Sequence, residues 1–271
     1  MPDAPLADDL SLALRLADAA DAISMARFGA IDLVIDTKPD LTPVSDADRA
    51  VEVAIRTMLA NERPRDAIVG EEYGADPQSD GRRWVIDPID ATKNFVRGVP
   101  VWATLIALME GADVLVGVVS APALTQRWWA ARGEGSWTSR PHVGLRRNQV
   151  SAVASFDDAS LSYSDLSGWG SRSAGFYDLA AAVWRSRAYG DFWSHMLVAE
   201  GAVDISAEPE VSIWDVAALV VIVEEAGGRV TGVDGATSPE APSILCSNGL
   251  LHEAALAVLD REDTEPWPPL G

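Results

Sequence analysis

The chain is expected to fold as an α/β protein of the α+β kind, a layered sandwich of helices and sheets. Three observations predict this. Stretches with helical spacing alternate with short apolar runs of strand length. Neighbouring strands are joined by tight turns in some places and by helical crossovers in others. The 271 residues are 48% hydrophobic and 23% charged, ordinary globular composition with enough apolar material for one large domain or two closely packed halves.

Residues 6–28 carry Leu and Ala at helical spacing with Asp and Arg between them, and Gly29 follows as a stop. Leu33-Val34-Ile35 reads as a short strand, and 36–45, with two prolines, as a polar loop. Ser45 or Asp46 can cap a helix running to Asn61. Ile68-Val69 and Trp84 to Asp87 are apolar runs that end in acids. Residues 103–109 and 114–120 form paired strands across Gly111-Ala112-Asp113, and 126–131 adds another. The Gly-, Ser- and Arg-rich segment 133–148 reads as a link between an N-terminal half, 1–146, and a C-terminal half, 147–263. Then come a strand at 159–163, a loop at 164–175, helices at 176–185 and 191–200, and a strand at 203–207. Residues 215–226 make a strongly apolar helix closed by Gly227-Gly228. A strand at 244–246, a helix at 249–260 and a flexible tail, 264–271, complete the chain.

The formal net charge is −20, which argues against nucleic acid or an anionic membrane as partner, since either would be repelled. Bound cations would reconcile so acidic a protein with an anionic ligand. One cysteine, Cys246, excludes an intrachain disulfide and a thiolate zinc site. No segment resembles a signal peptide and no uncharged apolar run is long enough to span a bilayer, so a cytoplasmic protein is expected. Only two lysines occur, Lys38 and Lys93, both in polar segments near the acidic motifs described next.

Residues 87–95 read Asp-Pro-Ile-Asp-Ala-Thr-Lys-Asn-Phe. Asp87 and Asp90 flank a proline that keeps Asp87 extended, so the chain turns and both carboxylates can address one point together with the Ile89 carbonyl. Thr92 would open a short helix whose free N–H groups can receive a phosphate oxygen. Upstream lies Gly70-Glu71-Glu72 and far downstream Trp214-Asp215. Hard divalent cations want such oxygen ligands, and Mg²⁺ prefers a few carboxylates plus substrate phosphate. Each motif alone also has a plain structural reading: an Asp-Pro turn, two solvated acids, and an acid on a helix dipole.

Taken together, Gly-Glu-Glu, Asp-Pro-Ile-Asp-x-Thr and Trp-Asp resemble the inositol monophosphatase family, over roughly residues 8–260. The resemblance implies a layered α-β-α-β-α sandwich of the inositol monophosphatase and fructose-1,6-bisphosphatase type, usually a homodimer. It implies a phosphate monoester hydrolase with two or three Mg²⁺ per site. Glu71, Asp87, Asp90, Asp215 and the Ile89 carbonyl match the metal ligands, with Glu71 also assigned to catalysis. Asp48 matches the acid that, with Thr92, positions the attacking water; Asp46 is the competing candidate for that role and is expected to cap the helix instead. Lys38 falls in a loop that closes over the site in relatives. The implied reaction is in-line attack of a metal-activated water. Ala91 departs from the family pattern, which has Gly there. At negative φ its methyl is tolerable; at positive φ it costs about 1 kcal/mol and crowds the phosphate.

The wall opposite the metals should select the alcohol. Gly190-Asp191 matches a substrate-contacting segment whose second residue is usually small, and Glu208 matches a substrate-contacting acid. Two acids aimed at the leaving group suit a cationic alcohol better than a neutral polyol. Residues 90–102 with 187–191 also resemble the actinobacterial branch of the family that acts on L-histidinol phosphate. Other sugar or inositol phosphates are the rival substrates. An aspartyl-phosphate mechanism fits poorly, because its Asp-x-Asp-x-Thr spacing is one residue shorter than that found here. A non-catalytic metal-binding relative has Ala91 alone in its favour.

Overall fold

A computed structural model describes residues 6–39, 41–76 and 81–261. The tail 264–271 lies outside the described residues. Helix α1 (Ala7–Arg27) buries Leu12, Ala13, Leu16, Ala17 and Ala20, one apolar stripe. Strands β1 (Ile35–Thr37) and β2 (Pro43–Ser45) pair as an antiparallel hairpin. Helix α2 (Asp46–Glu62) follows and buries Val51, Ile55 and Leu59. Next come β3 (Ala67–Gly70), β4 (Gly74–Ala75), β5 (Arg82–Asp90), the short helix α3 (Thr92–Val96), β6 (Ala103–Glu110), β7 (Asp113–Ala121), β8 (Gln126–Ala131), β9 (Gly135–Arg140) and β10 (Gly144–Arg147). The remainder holds β11 (Ser160–Ser162), α4 (Ser173–Ala182), β12 (Arg185–Arg187), α5 (Asp191–Ala199), β13 (Ile205–Glu208), α6 (Ile213–Glu225), β14 (Arg229–Thr231), β15 (Ile244–Ser247) and α7 (His252–Leu259).

Strands β3 to β10 form an eight-stranded sheet ordered β10-β9-β8-β7-β6-β5-β3-β4, antiparallel except for β3 beside β5. Strands β11 to β15 form a five-stranded sheet ordered β12-β11-β13-β15-β14. Three apolar clusters define five layers. Helices α1 and α2 cover one face of the large sheet through Trp84, Ile86, Ile106 and Val118. Helices α5 and α6 fill the space between the sheets, against Val85, Leu105 and Val119 on one side and Ile244 and Cys246 on the other. Helices α4 and α7 cover the outer face of the small sheet, around Leu161, Ile205 and Leu245. This is the α-β-α-β-α sandwich expected. Strand β5 carries core residues on both faces, which is why it reads as a continuous apolar run.

Three expectations are corrected. The strand expected at 33–35 starts at Ile35, and the supposed loop 36–45 holds most of the β1–β2 hairpin. Its strands are three residues long and β1 is wholly exposed, so no apolar alternation marks them. The supposed link 133–148 is β9 and β10, which extend the large sheet. Its polarity is that of an exposed edge strand, β10. The helix expected at 176–185 ends at Ala182, and Arg185–Arg187 is an edge strand of the small sheet.

Candidate active site

The Asp87/Asp90 pair is built by an irregularity in β5. Pairing with β6 runs regularly to Asp87 opposite Leu105, then resumes at Asp90 opposite Ala103. Three steps on β5 therefore face two on β6, a bulge. In a regular strand residues three apart point to opposite faces; the extra residue brings both carboxylates to one side. Pro88 suits a bulge because it has no N–H to lose from the ladder. Its carbonyl accepts the Thr104 hydroxyl at 2.7 Å.

Asp215 joins them from α6. It is the third residue of that helix, and its Oδ2 accepts the Ser212 N–H at 2.7 Å in a capping box. Oxygen atoms of Asp87, Asp90 and Asp215 all lie within 4.8 Å of one another. Among the described residues, no Lys or Arg pairs with these three, and the buried Asp87 Oδ1 has no hydrogen-bond partner. Burial, then the charges of Glu71, Asp90 and Asp215, hold Asp87 well above the usual carboxylate range. Burial, then Asp191 and Asp215, do the same to Asp90. Burial lifts Asp215 to about 7, with Glu71 and Glu208 adding to it against the Ser212 N–H. So crowded a set of oxygens with no protein cation fits a divalent metal.

Glu71 lies at the end of β3, where Lys38 Nζ reaches both Glu71 Oε1 and Glu72 Oε1 at 2.6 Å. Lys38 sits between the hairpin strands and ties the hairpin to the acids. The turn after β3 is braced from behind by Glu52, a fully buried residue of α2. Its carboxylate accepts the N–H groups of Glu72 at 2.8 Å and Tyr73 at 3.2 Å, and Arg56 Nε at 2.8 Å. Gly70 allows this approach: a Cβ there would come within 2.0 Å of Glu52 Oε1.

Thr92 opens α3. Its hydroxyl lies 3.0 Å from the Ile89 carbonyl and 3.3 Å from Asp48 Oδ1. Asp48 is buried, and Oδ2 accepts the N–H of Ser45 at 2.8 Å and its hydroxyl at 2.6 Å. Ser45 is therefore the cap of α2, and Asp48 completes its capping box. Asp46 does not cap the helix; its carboxylate pairs with Arg27 Nη2 at 2.8 Å. Burial raises the Asp48 carboxyl against the opposing bonds from Ser45. Ala91, just before α3, has φ 65° and ψ 46°, the left-handed region in which the Cβ costs energy.

A cleft of about 440 Å³ opens over these groups, lined among others by Thr42, Glu71, Thr92, Ser164, Asp191 and Asp215. Gly190, at φ 87°, lets the chain turn into α5 with Asp191 as its first residue. The Asp191 N–H donates to Ser164 Oγ at 2.7 Å, and the Phe192 N–H to Asp90 Oδ2 at 2.9 Å. Burial, with the charge of Glu208, raises Asp191 to about 6. Glu208 stands behind the wall, outside the lining set, and Oε1 accepts the Ser164 hydroxyl at 2.5 Å. Sequence reading passed over Ser164, Glu52 and His195. Ser45-x-x-Asp48 is a capping-box pattern that could have paired those two; nothing local marks the others.

The profile of the inositol monophosphatase family matches residues 6–264. A histidinol-phosphatase of Mycobacterium tuberculosis is 59% identical over 93% of this chain and 98% of its own length. A histidinol-phosphatase of Streptomyces coelicolor is 56% identical over 96% and 99%. The crystal structure of the extragenic suppressor protein suhB from Bartonella henselae superposes with a TM-score of 0.85, at 27% identity over 94% of this chain and 99% of that one.

Proposed function

We infer a substrate from one premise: the chain belongs to the inositol monophosphatase family. It is a phosphoric monoester hydrolase of that metal-dependent family. We propose L-histidinol phosphate as the ester and Mg²⁺ as the metal, two or three ions per site. The observation that carries the substrate is the acidic wall: Asp191 faces the cleft and Glu208 stands directly behind Ser164. A cationic amino alcohol gains from both acids, and a neutral polyol gains less. The two histidinol-phosphatases described above support the same reading.

The metal ligands proposed are Glu71, Asp87, Asp90, Asp215 and the Ile89 carbonyl. Bound Mg²⁺ supplies Lewis acidity toward water and phosphoryl oxygens. The protein's own groups do the rest. Asp48 Oδ1 and the Thr92 hydroxyl hold the attacking water; Asp48 is oriented for this because Ser45 already occupies its other oxygen. Glu71, which Lys38 holds at 2.6 Å in this structure, is proposed to assist there. The backbone at Ala91 and Thr92 receives the phosphate, and Gly190 and Asp191 the alcohol. We also propose a cytoplasmic homodimer in which residues 1–146 and 147–263 are the two halves of each subunit. No helix among the described residues is long and apolar enough to cross a membrane.

Phosphate release from L-histidinol phosphate and from D,L-myo-inositol 1-phosphate, each in Mg²⁺, tests the reading, with Asp90→Asn as blank. The expected kcat/KM favours histidinol phosphate by about a hundredfold or more. Equal rates, or inositol phosphate ahead, would remove histidinol phosphate and leave a general monophosphatase.

A further inference from the structure

His195 lies one helical turn beyond Asp191 on α5, at i+4 and so on the same face. Its ring is 1% exposed and spans two residues of β13 that share a face, Ser206 and Glu208. Nδ1 meets Ser206 Oγ at 2.9 Å, and Nε2 meets Glu208 Oε1 at 3.3 Å. A carboxylate can only accept, so Nε2 carries the proton of that bond. Burial opposes a charge on the ring, but Cys246 and Glu208 together outweigh it and raise the imidazole to about 10. The same Glu208 Oε1 accepts the Ser164 hydroxyl, which in turn accepts the Asp191 N–H. The contacts close a ring from Asp191 through Ser164, Glu208 and His195 back along α5. Glu208 Oε1 is thus held twice, and Oε2 makes no hydrogen bond among the described residues.

We propose that His195 is a specificity-determining positioning residue: it locks Glu208 by Oε1 behind Ser164, so that the carboxylate's negative charge stays directed through the cleft wall at the cationic group of the leaving alcohol. This rests on the proposed amino-alcohol substrate. His195 never touches the ester. It acts by fixing the rotamer of one acid, its ring being anchored on Ser206 through Nδ1 while Nε2 holds Glu208. A histidine that merely filled the core would affect all substrates alike.

Steady-state kinetics in saturating Mg²⁺ with L-histidinol phosphate and with β-glycerophosphate, whose alcohol is neutral, separate these roles. His195→Met removes both ring contacts. It is expected to raise KM for histidinol phosphate about tenfold, and at least about fivefold more than KM for β-glycerophosphate, with kcat falling less than KM rises. His195→Gln keeps a donor for Glu208 and should lose only about threefold in that ratio; it also stands alone as the test if His195→Met does not fold. A parallel rise for both esters, or an unchanged ratio in the folded variants, overturns the inference. Wild-type selectivity that survives in the variants overturns it alone; absence of wild-type selectivity overturns the substrate reading and this inference with it.

Discussion

Ala91 is the residue at which sequence and conformation disagree. With φ at 65° it occupies a region glycine enters freely, and its methyl costs about 1 kcal/mol there. Ala91→Gly is therefore expected to stabilise the protein by up to about 1 kcal/mol, part of the gain being offset by the looser unfolded chain. In a chain of this size that is a rise in Tm of roughly 2–4 °C, read by thermal unfolding. An unchanged or lower Tm would show that the loop has relaxed around the methyl. The Asp87/Asp90 motif was legible because its geometry is local: four residues, one of them proline, carry the bulge. The role of His195 was not, because its partners come from another strand and a distant loop and no spacing announces them.

Two helices reuse one device. In both α2 and α6 the third residue is an aspartate whose Oδ2 takes the N–H of a capping serine, Ser45 or Ser212. The capping bond that starts the helix also sets the direction of the acid, leaving Oδ1 for the site. Ser45→Ala removes the hydroxyl that Asp48 accepts at 2.6 Å. The variant should lose about 1 kcal/mol of stability, and kcat should fall about tenfold as Asp48 turns away from Thr92. Unfolding and kcat measured on one preparation check this, and full activity with lowered stability would separate cap from catalysis. Most elements were readable from apolar spacing. The hairpin and strands β9 and β10 were not, because short or edge strands face water and lack the alternation that betrays a strand.

Across the whole molecule, the net charge of −20 meets its concentrated form in the acidic site. Asp215 stands at about 7 against an ordinary 3.8, and Asp191 at about 6. Between those ordinary and raised values the folded protein keeps protons that the unfolded chain has released, so stability falls as pH rises through this window. EDTA-treated protein should show a lower Tm at about pH 8 than at about pH 5.5, and saturating Mg²⁺ should raise Tm more at the higher pH, since metal and protons compete for the same oxygens. A Tm without metal that climbs with pH, or an equal Mg²⁺ effect at both values, would show the carboxylates ionised and balanced without a cation. The five layers were foreseen, while the way a central helix completes the acidic cluster emerges only from tertiary packing. That packing divides labour. Glu71, Asp87 and Asp90 stand on the large sheet, whereas Ser164, Asp191 and Glu208 flank the small one. Under the roles proposed above, a descendant gene can retailor the second group to admit a new alcohol while the acids of the large sheet keep their places, so diversification of diet needs no reinvention of chemistry.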